Sequence, residues 1–107
     1  MKMEYIFELS EDGFYIPRLA TEFRFIELVF EDMASFGEAI FRGFIENVVT
    51  GKSEYEEVAG NMCNLQISKK YTIISTEFVS SGVDNELKVD TGKLFKLINE
   101  WTEKNNL

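Results

Sequence analysis

From Cys63 onward, apolar side chains fall on alternate positions, and this pattern constrains the fold more tightly than any other stretch. Cys63, Leu65 and Ile67 alternate with Asn64 and Gln66, the period of a strand with one face buried and one in water. Ser68-Lys69-Lys70 turns the chain, and Tyr71 to Val79 is dense in β-branched and aromatic residues. Strands joined by so short a turn must run antiparallel. Lysines at the tip discourage pairing with a foreign strand.

The rest of the chain is read against that hairpin. Tyr5, Phe7 and Leu9 alternate with Glu4, Ile6 and Glu8, Glu11-Asp12-Gly13 forms a turn, and Phe14-Tyr15-Ile16 resumes an extended run that Pro17 ends. A first hairpin is expected over 4–16. Residues 19–33 fit neither a period of two nor one of 3.6 cleanly; a doubly buried strand and a buried helix both remain open, and the aromatic and β-branched content favours strand. Ser35-Phe36-Gly37-Glu38 matches a capping box, and Phe36, Ile40, Phe44 and Val48, with Ala39 and Ile45, then trace one helical face up to Gly51. Gly37 and Gly43 are expected to permit close packing on a sheet.

Lys52 to Gly60 reads as a polar, acidic connector, and Gly60-Asn61 as a tight turn into the Cys63 strand. Ser80 to Asn85 is expected to be a loop and Glu86 to Val89 a short strand. Asp90 or Thr91 caps a last helix with Leu94, Phe95, Leu97, Ile98 and Trp101 on its apolar face, and the polar tail from Glu103 is expected to fray. Strands segregated from helices in this way predict an α+β fold: one domain over 1–107, with an antiparallel sheet of about five to six strands and two main helices on one face.

Composition decides what such a domain can do. The chain has 107 residues, 45% of them hydrophobic, with ten Phe, which supplies one core without a metal or disulfide. It has no histidine, which removes catalytic triads, His-ligated metals and the commonest general base together. The single cysteine, Cys63, shares a face with Leu65 and Ile67 and reads as a buried, inert thiol. Glycine-rich phosphate loops are absent. No enzyme activity, cofactor or metal is therefore expected. Met1-Lys2-Met3-Glu4 leads straight into a strand pattern with no secretory leader, and no stretch approaches the roughly 18 apolar residues of a membrane span, so the expected location is the cytoplasm.

Nineteen acidic against eleven basic residues give a net charge of −8. Such a surface repels nucleic acid and anionic membrane and favours a basic protein partner. The acids available for that role are Glu11, Asp12, Glu31, Asp32, Glu54, Glu56 and Glu57. Adjacent acids are ordinarily just solvated, and they gain meaning here only as a set. Arg18 and Arg24 are expected to pair with Glu22 or Glu27, and Trp101 to lie in the core.

The run Glu57-Val58-Ala59-Gly60-Asn61-Met62-Cys63-Asn64-Leu65-Gln66-Ile67, then Thr72-Ile73-Ile74, with Leu87-Lys88-Val89-Asp90-Thr91 and Leu94, Leu97, Ile98 and Trp101, resembles the immunity proteins of contact-dependent growth inhibition systems over roughly residues 55–104. The resemblance implies a protein, monomeric when free, that binds the C-terminal toxin domain of a cognate effector, often a nuclease, and blocks it in the cytoplasm. It transfers no binding residue by position. The alternative is a small adaptor or regulatory subunit with no toxin partner.

Overall fold

The alternation that begins at Cys63 becomes the centre of an antiparallel sheet in the computed structural model, which describes residues 4–76 and 85–107. The chain runs β1 (Tyr5–Leu9), β2 (Tyr15–Leu19), a 3-10 turn (Thr21–Phe23), α1 (Arg24–Phe36), α2 (Arg42–Val49), β3 (Tyr55–Ala59), β4 (Asn64–Ser68), β5 (Tyr71–Ser75), β6 (Glu86–Asp90) and α3 (Thr91–Lys104). Strands β3 to β6 pair in sequence order, while β1 and β2 form a separate two-stranded ribbon. The α+β class and the number of strands follow the sequence; the division into two sheets and the third helix are additions. The expected strand residues 77–79 and most of the loop Ser80 to Asn85 lie outside the described residues.

Register explains how the large sheet divides inside from outside. Leu65 faces Val58 and Ile74 across the strands, and Ile67 faces Glu56 and Thr72. Leu65, Ile67, Thr72, Ile74 and Val89 are buried, whereas Asn64, Gln66 and Lys88 point to water. α1 touches both β2 and β5 and α3 both β2 and β6, so these two helices join the sheets, while α2 packs on β3, β4 and α3 in the same core. Trp101 is fully buried there, stacked on Phe14 and tilted against Phe30.

Residues 24–36 are a helix, which overturns the leaning toward strand. Phe25, Ile26, Val29, Phe30 and Met33 are buried along one face at helical spacing, a period that the half-buried Phe23 and Leu28 blur in the sequence. The capping box does not form. Ser35 and Phe36 close the last turn of α1, where the Ser35 hydroxyl donates back to the Asp32 carbonyl (2.7 Å). Gly37, at φ 75°, ends the helix in the left-handed conformation, its N–H donating to the Ala34 carbonyl (3.0 Å). Of the face expected there, Ile45 and Val48 are buried, together with Phe41, whereas Phe36 is half in water and Phe44 is exposed.

Three smaller expectations are also corrected. Pro17 does not stop the strand but pairs with Phe7 inside β2, tolerated because among the described residues one edge of β2 has no partner strand. Lys52 to Gly60 is not all connector, since Tyr55–Ala59 forms the edge strand β3. The tail does not fray at Glu103: Asn105 accepts from the Tyr15 N–H (2.7 Å) and donates to the Tyr15 carbonyl (3.1 Å), and the Lys104 ammonium lies over the Tyr15 ring. Asp90 is the cap of α3, accepting from the Lys93 N–H (2.9 Å).

Candidate partner-binding surface

The ribbon ends in a tip built from its own polar atoms. The Ser10 N–H donates to the Phe14 carbonyl (2.8 Å), and Gly13, at φ 90°, donates back to the Ser10 carbonyl (3.1 Å). The Ser10 hydroxyl sits between the Phe14 carbonyl and the Asp12 carboxylate. The hydrogen bond from Ser10, aided by backbone amides of the loop, lowers the pKa of Asp12. Glu11 stands exposed beside it.

Behind the tip, β2 and α1 face each other through charge. The Arg18 guanidinium lies 3.1 Å from Glu27, 3.2 Å from Glu31 and 3.6 Å from Glu8. Burial disfavours the Arg18 charge, but hydrogen bonds to Glu27 and Glu31 and their negative charge outweigh it and raise its pKa. Glu27 also accepts the Leu19 N–H (2.9 Å), tying the ribbon to the helix. Arg18 thus pairs with Glu27 as expected and not with Glu22, while Arg24 lies over the Phe25 ring.

Between the tip, the end of α1 and the β3–β4 turn runs a groove of about 600 Å³. Leu9, Ile16, Ala34 and Met62 supply its apolar surface, and Glu8, Glu11, Asp12 and Glu31 its acidic rim, with Arg18 as the one cation among the lining residues. Leu9 is 57% exposed and Met62 36%, and both line the groove. An apolar centre inside a charged border is the anatomy of a protein-binding patch. A second groove, of about 690 Å³, lies between α2 and α3 around Arg42 and Asn99 and contains none of the expected acids.

The structure therefore brings Glu11, Asp12 and Glu31 together and separates the others from them. Glu54 is exposed just before β3; Glu56 turns toward the inner face and accepts from the Ser53 hydroxyl (2.6 Å); Glu57 points outward and accepts from the Tyr55 hydroxyl (2.9 Å), raising the Tyr55 pKa. Asp32 has no exposed surface at all. Its carboxylate accepts from the backbone N–H groups of Asn61 (2.9 Å), Met62 (2.9 Å) and Cys63 (3.2 Å). Glu8, Leu9 and Met62 were not anticipated as site residues. Alternation assigned Leu9 to the buried face, and nothing in the sequence marks a turn methionine as a surface feature.

Chemistry finds little foothold. The Cys63 thiol is buried, and burial, followed by the charge and hydrogen bond of Asp32, pushes its pKa upward. Among the described residues no group of three acidic or sulfur ligands could hold a metal ion, and no helix is long and apolar enough to cross a membrane.

Comparison with known proteins finds a relative in Bacillus cereus that bears the name "Immunity protein". The two are 31% identical over 105 residues, which cover 97% of this chain and 89% of the relative. No family model matches the chain, and no solved structure matches it.

Proposed function

This chain belongs to the immunity proteins, and we propose that it binds a cognate toxin domain and neutralises it by covering the active site, acting as a stoichiometric inhibitor and not as an enzyme. The toxin is a nuclease of a contact-dependent growth inhibition system, and the two meet in the cytoplasm, where the free inhibitor is a monomer. The observation that carries this reading is the acidic groove with open Leu9 and Met62 at its centre. A nuclease presents cations where it holds phosphate, and a rim of carboxylates satisfies those cations in place of the substrate. Apolar contact inside the rim then slows dissociation, because desolvated side chains carry most of the affinity of a protein interface. Glu54 and Glu57, exposed before and on β3, extend the footprint beyond the groove, toward the roughly 1,600 Å² of total buried area usual for a stable complex.

Co-expression with the toxin domain encoded beside this chain tests the reading. Growth should be restored by the wild-type protein and lost again with Glu11→Lys combined with Asp12→Lys, two exposed positions whose change leaves the core untouched. Continued killing in the presence of abundant wild-type protein would end the proposal.

A further inference from the structure

The β3–β4 turn is held by more than it needs. A tight turn closes on its own backbone, and this one does: the Gly60 N–H donates to the Cys63 carbonyl (2.8 Å). Yet a fully buried carboxylate is spent on the same residues, with Asp32 accepting three consecutive amides from Asn61, Met62 and Cys63. Removing a charge from water is costly, and here three amide donors aimed at one carboxylate replace the solvent. The packing is close enough that a Cβ at Gly60 would collide with the Asp32 carboxylate and come within 2.8 Å of the Phe41 ring. From the other side, the Thr76 hydroxyl donates to the Met62 carbonyl (2.8 Å). Both backbone polar groups of Met62 are thus fixed, by α1 and by the end of β5, while its side chain stands open in the groove beside Leu9.

We propose that Asp32 is a positioning residue for partner recognition: by immobilising the turn it presents Met62 as the apolar anchor of the groove. The proposal rests on the reading of the groove as the toxin-binding face. A rigid backbone removes the ordering cost that a mobile turn would incur on association, and the unbranched thioether adapts its own shape to what it meets. The complementary feature on the toxin is an apolar side chain flanked by Lys or Arg, which reaches Leu9 and Met62 while the basic neighbours meet Glu8, Glu11, Asp12 and Glu31.

A double-variant cycle on the full chain tests this, with the toxin domain encoded beside it as the binding partner and with folding of each variant checked by circular dichroism. Met62→Ala should speed dissociation about tenfold and leave the salt dependence of association unchanged. Asp32→Asn, which replaces one of the two accepting oxygens by a donating NH2, should produce a similar loss, and the double variant should be little worse than either single one. A purely structural Asp32 would instead give losses that multiply in the double variant. Unchanged dissociation in Met62→Ala, or multiplying losses, overturns the positioning role while tight wild-type binding still upholds the groove. Failure of the wild-type protein to bind overturns both. Should Asp32→Asn not fold, Thr76→Val replaces it in the cycle, with the same two outcomes read in the same way.

Discussion

Glu31 and Asp32 are neighbours in sequence and opposites in the fold. A helix advances about 100° per residue, so two adjacent acids cannot both face the same way. Glu31 reaches Arg18 and the groove; Asp32 turns inward to the turn amides. Reading them as a surface pair was natural while residues 19–33 were open between strand and helix, and no rule of composition could have separated them. Cys63 was better served, because its place in an alternating run already put it inside. Its raised pKa has a consequence for stability. Well below about pH 8.5 the thiol is protonated in folded and unfolded chains alike and contributes nothing. Above that the unfolded thiol ionises and the buried one does not, so stability should fall with rising pH by at most about 1.4 kcal/mol per unit from this group. Urea unfolding between pH 8 and pH 10 should show a steeper decline for the wild-type protein than for Cys63→Ala; equal slopes would mean that the thiol ionises in place.

At the level of elements, the strands were legible wherever one face met water. β4 alternates cleanly between buried and exposed, and so it was read correctly from Leu65 and Ile67 alone. β3 was missed because Glu56 occupies an inward position that pattern reading reserves for apolar residues, made tolerable by the Ser53 hydroxyl. The helices were harder, since Ser35-Phe36-Gly37-Glu38 carries the letters of a helix start at a place where one helix ends. What decides between the two is the left-handed backbone at Gly37, which a sequence does not display. Gly37 and Gly43 therefore behave differently from each other. Neither meets any atom within 4 Å of an added Cβ, but only Gly37 has a positive φ. Gly37→Ala should cost about 1 kcal/mol, while Gly43→Ala, inside α2, should gain about 0.5 kcal/mol. Chemical denaturation of both variants checks the contrast, and a loss at Gly43 would imply a packing role after all.

On the scale of the whole molecule, charge was the most legible property and location of charge the least. The excess of acids follows from counting; that Glu8, Glu11, Asp12 and Glu31 gather on one groove follows from β2 pairing back along β1 and α1 packing on β2. Long-range arrangement of this kind has no local trace. It does have a kinetic one: association with a basic partner should slow by an order of magnitude or more between about 10 mM and 500 mM salt, with dissociation little changed. Stopped-flow mixing measures both, and an association rate indifferent to salt would remove the acidic rim from the mechanism.

Trp101 joins the layers that charge leaves apart. It touches Phe14 behind the ribbon tip and Phe30 of α1 while belonging to α3, and its indole N–H finds no acceptor among the described residues. As the only tryptophan in the chain, it makes the molecule its own optical gauge. A dry indole emits in the blue, and any step that parts the ribbon from the helices lets solvent reach it and reddens the light, so one wavelength tracks the joining of all three pieces.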